Sequence, residues 1–244
     1  MNAPSRNFVA TIFLFALCSL TSNQLRADTI TVYGDENHAP LGYLEKGVPK
    51  GLLVDMFSKI SKKSGDTYEI KMFPWPRAQM HAREGPGALM NVSMNAQRLE
   101  FFDFSDPMYF DDVVVVVLKS KAFAFGRLVD LKGKVLGGTI DGSYGEEIDS
   151  AIRAKLFTVD HDSNPTSRLN KLLRGRIDAA LIPGGELGYE SALSGDPTLL
   201  AKRDQFSVLS KPLVHDPIYL AVAKSLNKKE LIGRFNKALK EIQK

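Results

Sequence analysis

The chain has 244 residues, a formal net charge of +4 and one cysteine, Cys18. A lone cysteine excludes a disulfide framework. The small charge excess gives no polybasic footprint, which excludes a nucleic-acid partner.

The first residues, Met1 to Ala27, carry Arg6 ahead of the short apolar run "NFVATIFLFALCSL" and end "QLRA", the layout of a secretory signal peptide over 1–27. The run is short for a bilayer span, so export to the periplasm is expected, with a mature start at Asp28. An uncleaved anchor is the alternative. Residues 1–27 include Arg6, Arg26 and Cys18 and no acid, so removing them leaves 217 of the 244 residues, a net charge of about +2 and no cysteine. That length suffices for two small α/β lobes with their own cores.

"DTITVYGD" alternates as a strand, and "GLLVDMFSKISKKSG" places Leu52, Leu53, Met56, Phe57 and Ile60 at helical spacing before a stop at Gly65. "YEIKMFPW" reads as the next strand, so a β-α-β unit with a parallel pair is expected. "PRAQMHAREG" is a short helix and "GALMNVSM" a strand apolar enough to be buried on both faces. Five consecutive valines, Val113 to Val117, form a further buried strand. The same grammar restarts at "DLKGKVLGGTIDGSYGEEIDSAIRAKL", with a strand at Val135 and a helix from about Tyr144. "RLNKLLRGRIDAALIP" gives a helix, a stop at Gly175 and a strand; "DPIYLAVAKSLNKKELIGRFNKALKEIQK" gives a strand and a helix with Leu231, Phe235, Leu239 and Ile242 on one stripe. Two α/β halves joined by extended segments at 111–120 and 211–224 result.

Several separate stretches resemble the bacterial family 3 extracellular solute-binding proteins, the amino-acid-binding type of the periplasmic binding proteins. They are "APLGYLEKGVPKGLLVDMFSKIS" with Asp55, "SMNAQRLEFFDFSDPMYFDD" with an arginine before "FS-x-P-x-Y", "DLKGKVLGGTIDGSYGEE", "GRIDAALI" and "DPIYLAVAKS". The resemblance implies an α/β, two-lobed periplasmic-binding-protein-like fold with two hinge crossovers. Lobe 1 would take 28–114 and 215–244, and lobe 2 115–214. It also implies a periplasmic binding protein of an ABC transporter, working as a monomer with a small-molecule ligand and a separate inner-membrane ABC permease. The alternatives on the same fold are an enzyme, such as a dehydratase of a carboxylated ring, and a ligand-presenting sensory protein. The chain closes on its terminal helix, so no fused domain is expected.

By this resemblance Arg98 is the ligand-carboxylate anchor, a role its planar fork of N–H donors suits. Ser93 and Asn91 fall beside it at a strand's carboxyl end, where open α/β sheets bind ligands. Gly142, Ser143 and Tyr144 open a helix whose free N–H groups favour an anion, although Ser143 also fits an N-cap. Leu41 takes the place where an aromatic is common, which leaves Tyr43 and Trp75 as candidate aromatics, Trp75 equally as core. After "GRIDAALI" the family's ammonium-binding aspartate is replaced by Pro183-Gly184-Gly185-Glu186, so the anchor is missing or displaced to Glu186, and a standard α-amino acid is in doubt. His38, His81, His161 and His215 lack metal-ligand spacing, "GSYGE" lacks the spacing of a nucleophile elbow, and neither cofactor nor catalytic activity is expected.

Overall fold

The computed structural model describes residues 27–244; the expected signal peptide lies outside them but for Ala27. In chain order the elements begin β1 (Thr29–Asp35), β2 (Asn37–His38), β3 (Gly42–Glu45), β4 (Val48–Lys50), α1 (Leu52–Ser64), β5 (Thr67–Phe73), α2 (Trp75–Glu84) and β6 (Ala88–Ser93). There follow α3 (Ala96–Phe101), β7 (Phe102–Phe104), β8 (Tyr109–Leu118), β9 (Val135–Thr139), α4 (Glu146–Arg153), β10 (Thr158–Asp162) and α5 (Pro165–Leu173). The chain closes with β11 (Ala179–Ile182), α6 (Gly185–Ser194), α7 (Pro197–Ala201), β12 (Phe206–Val208), β13 (Val214–Ala223) and α8 (Lys229–Ile242).

The strands run in the order β10-β9-β11-β8-β13-β6-β1-β5, with β12 on β8 and β7 on β13. The expected β-α-β unit is present: β1 and β5 pair in parallel from Thr29 opposite Thr67. Leu53, Phe57 and Ile60 form the buried face of α1, which ends at Gly65 in the left-handed conformation that glycine adopts without steric cost. Leu231, Phe235 and Leu239 of α8 are buried in the same core, the Phe57 and Phe235 rings 5.6 Å apart. Arg234 of α8 bonds Asp28 and Asp66, which ties the segment ahead of β1 and the turn before β5 to the last helix.

The valine strand is shared between the halves. Residues 109–113 of β8 pair antiparallel with 214–218 of β13, and 114–116 then pair with β11. Because successive side chains of a strand face opposite ways, Val113, Val115 and Val117 pack with Leu136, Ile148 and Phe157, while Val114 and Val116 pack with Leu169, Leu172 and Phe206. Residues of α4 lie on one face of the second half's strands and residues of α5 and α6 on the other, so an apolar β-branched residue at every position suits burial on both sides. Among the described residues no helix is long and apolar enough to cross a membrane.

Candidate functional site

Four strand ends converge between the lobes: Asp35 closes β1, Ser93 closes β6, Thr139 closes β9, and Pro183 follows β11. They line a cavity of about 60 Å³ together with Asp111 and Asp216, one from each crossover strand. Carboxyl ends of strands are where open α/β sheets hold ligands.

Seven of the nine candidate residues line this cavity: Asn91, Ser93, Arg98, Trp75, Gly142, Ser143 and Tyr144. Tyr43, half-buried on β3, and Glu186, exposed in the first turn of α6, are not among its lining residues. Leu41 is buried in the first lobe's core.

Arg98 lies on α3, whose N-cap Asn95 accepts from the Arg98 backbone N–H at 2.8 Å. Its guanidinium donates to the Ser93 carbonyl (2.9 Å), Gln79 Oε1 (3.2 Å) and the Asp141 carbonyl (3.5 Å). All three acceptors are neutral. The Asp141 carbonyl, from the second lobe, also accepts from Trp75 Nε1 (3.0 Å) and Gln79 Nε2 (3.2 Å), so three side chains of the first lobe hold one oxygen of the second. Trp75 lines the cavity and also packs with Ala78 and Leu89 in the core.

The stretch after β9 differs from the expected anion site. Helix α4 starts at Glu146, two residues later than the periodicity indicates, and its N-cap is Gly145 rather than Ser143. The Tyr144 N–H donates to Asp149 Oδ1 (3.0 Å) and Ser143 Oγ to Asp149 Oδ2 (2.6 Å), so the helix's own carboxylate occupies the donors. The Tyr144 hydroxyl accepts from the Thr139 N–H (3.0 Å), which holds the loop against β9.

Residues 30–244 match the profile of the bacterial extracellular solute-binding proteins, family 3. The chain belongs to that family. Among solved structures it is similar to a histidine kinase sensor domain that itself resembles periplasmic binding proteins (TM-score 0.74, 20% identity, covering 88% of this chain and 90% of that one). It is similar also to an ancestral arginine-binding protein bound to arginine (0.70, 23%, 88% and 92%) and to the substrate-binding protein of an amino acid ABC transporter (0.67, 21%, 88% and 93%). At these identities the likeness is one of fold. No curated protein matches in sequence.

In this solute-binding protein the cavity is more acidic than its motifs indicate. Asp35, Asp111 and Asp216 are all buried there. Burial pushes the Asp216 carboxyl up to about 6, opposed by its 2.5 Å bond from Ser93 Oγ and reinforced by the Asp111 charge. Burial likewise raises Asp35, against the charge of His38 and the Asn37 N–H. For His38, burial acts to lower the imidazole, but its bond to Asp111 and the charges of Asp111 and Asp35 outweigh it and leave the net shift upward. Burial lowers Arg98 to about 10.

The motif reading passed over these acids, and also Arg168. Fully buried behind the cavity on α5, Arg168 donates to Asp162 Oδ1 (2.8 Å from Nη2), Thr139 Oγ1 (2.9 Å) and the Leu181 carbonyl, bracing the ends of three strands. A signal existed for the acids: Asp35 ends a predicted strand, and Asp111 and Asp216 interrupt the apolar crossover segments, where an ionisable residue needs a reason.

Proposed function

We propose that this chain is the exported, periplasmic solute-binding protein of an ABC-type transporter, and that its lobes, 28–114 with 215–244 and 115–214, close over a small carboxylate-bearing solute. One observation carries the reading: Arg98 is nine-tenths buried at an interlobe cavity and engages only neutral acceptors, so its charge has no carboxylate in direct contact. A carboxylate is the partner that such a fork fits. Closure removes water from that charge-assisted bond and gives a permease a loaded shape to recognise. The amino-acid-binding neighbours support the ligand class and the transporter neighbour supports the partner.

The residues bind rather than transform the ligand in this reading. The acid raised to about 6, Asp216, is the one feature that favours an enzyme on this fold, and the sensor-domain neighbour favours ligand presentation to a receptor. A thermal-shift panel of amino acids, dicarboxylates and carboxylated rings on the chain from Asp28 tests the proposal. A carboxylate that stabilises wild type but not Arg98→Ala supports it, since ligand bound only to the folded state raises the melting temperature. Turnover of a ring substrate, or equal stabilisation of both proteins, would overturn it.

A further inference from the structure

Strands β9, β10 and β11 are parallel, with their carboxyl ends at the cavity and their amino ends at the opposite pole of the second lobe, where β8, antiparallel to β11, also finishes. Cations gather at that pole. Lys119 and Lys121 follow β8, Lys132 precedes β9, Lys155 precedes β10, and Arg174 and Arg176 precede β11; all six are exposed. Their turns are tied together. The Gly133 N–H donates to the Leu156 carbonyl (2.8 Å) and the Thr158 N–H to the Lys134 carbonyl (3.0 Å), and Lys121 Nζ comes within 3.7 Å of where a Cβ on Gly175 would stand.

The ion pairs of this lobe lie elsewhere: Arg153 with Glu146, Lys171 with Asp160, Arg168 with Asp162 and Arg203 with Glu190. None of the six takes part in one among the described residues. Asp178, the acid nearest in sequence to Arg176, accepts from the Val135 N–H (2.8 Å). The same place in the first lobe is built the other way. There Asp28 and Asp66 precede β1 and β5, and Lys228 and Arg234 pair with them. Bare cations are therefore a feature of one pole and not of strand ends in this fold. Gathered like charges repel one another, and an anionic partner outside the chain relieves that repulsion.

Apolar side chains stand among the cations. In the segment after β8, Ala122 and Ala124 are exposed and Phe123 and Phe125 partly so. Val129, 47% exposed, lies in the turn whose carbonyl accepts from the Lys132 N–H (3.1 Å). A soluble acidic polymer meets only the charges, whereas a lipid headgroup layer takes up both charged and apolar groups.

We propose that the outer pole of the second lobe docks on an anionic phospholipid surface, with its lysines and arginines among the headgroup phosphates and Val129 and the Phe123–Phe125 segment at the headgroup boundary. No run along the chain announces this surface, because strand order assembles it from four separate segments. The cavity lies at the other end of β9 and β11, so docking leaves it free. For an exported protein that serves a membrane permease, as proposed above, such a surface holds the chain near its partner. The docking itself rests on the pole and not on the cavity.

Co-sedimentation of the chain from Asp28 with phosphatidylcholine vesicles, with and without phosphatidylglycerol as two-fifths of the lipid, tests this. The expected result is binding to the anionic vesicles only, lost by about 0.5 M salt as screening shortens the reach of the charges. The double variant Lys121→Gln, Arg176→Gln should bind at least about tenfold more weakly, since each cation near such a surface contributes a factor of roughly five. It should melt with wild type, because both side chains are exposed and outside any ion pair. The pair Lys59→Gln, Lys62→Gln on the exposed side of α1 makes the same change in net charge and should leave binding unaltered. Equal weakening by the two pairs, equal binding to neutral vesicles, or capture by heparin without binding to vesicles would each overturn the inference. Binding to anionic vesicles by a chain that no carboxylate stabilises would retain it and remove only the proposed role of the cavity.

Discussion

Arg98 and Arg168 are both buried, at 8% and 0% exposure, and they are buried in opposite ways. Arg168 has a carboxylate in its own lobe, Asp162, and fixes the ends of β9, β10 and β11. Arg98 has peptide and amide oxygens, one of them across the interlobe seam, and its charge meets no carboxylate in direct contact. Dipoles alone rarely compensate a desolvated cation, which is why burial draws Arg98 down to about 10. A buried arginine paired within its lobe is architecture; one at the interlobe cavity with only neutral acceptors is what the proposed carboxylate site would use.

The largest effect should come from Arg168→Met. Removing one partner of a buried pair leaves Asp162 with only Lys171, 3.4 Å away, at a cost of about 3 kcal/mol or more, or roughly 10 °C in melting temperature for a chain of this size. Thermal unfolding without ligand reads it directly, and an unchanged midpoint would contradict the structural role. Arg98→Ala should invert the pattern. The Asp141 carbonyl keeps Trp75 and Gln79, so unliganded stability falls by about 1 kcal/mol, whereas carboxylate affinity falls at least about thirtyfold. Equal losses of stability in the two variants would erase the distinction.

Asp216 sharpens the comparison from the anionic side. Its carboxyl has an ordinary value of 3.8 and stands near 6 in the folded chain, so between those values the folded state binds more protons than the unfolded. Its contribution is therefore fully present below about pH 4 and lost as pH rises through 6. Asp216→Asn should remove that slope and stabilise the empty protein at pH 7 by on the order of 1–3 kcal/mol. Denaturant titrations at pH 4, 6 and 7.5 measure it; a variant no more stable than wild type at pH 7.5 would show that the empty site already neutralises the carboxylate.

The fold was legible because its signals are local and repeated. Leu53, Phe57 and Ile60 state a helix by spacing, Gly65 states its end, and the valine run states a strand covered on both faces. The position of Arg98 was legible through its motif, its partners were not: Gln79, 19 residues away, reaches it through the packing of the first lobe, and Asp141, 43 residues away, reaches it across the interlobe seam. The acids were harder still. Asp111 and Asp216 stand 105 positions apart in number and become neighbours through strand register, which no spacing along the chain expresses. Glu186 is the converse case: sequence order offers it as the displaced acid, and the structure leaves it exposed in the first turn of α6, outside the cavity lining.

The smallest effect concerns the space that Arg168 occupies. At Gly137 on β9 an added Cβ would lie 2.6 Å from Arg168 Cγ and 2.6 Å from Ile177 Cδ1. Ile177 meets it with a chain end that can turn aside, but Arg168 Cγ belongs to a side chain held at its far end by three acceptors. Gly137→Ala should therefore cost about 1–2 kcal/mol by overpacking. If the clash is with Arg168, the same substitution in an Arg168→Ala background should cost much less, because the cavity left there accepts the methyl group, and the two changes should fail to add. Additive costs would place the strain on Ile177 instead, and would mean that the glycine makes room for the core and not for the arginine that braces the cavity.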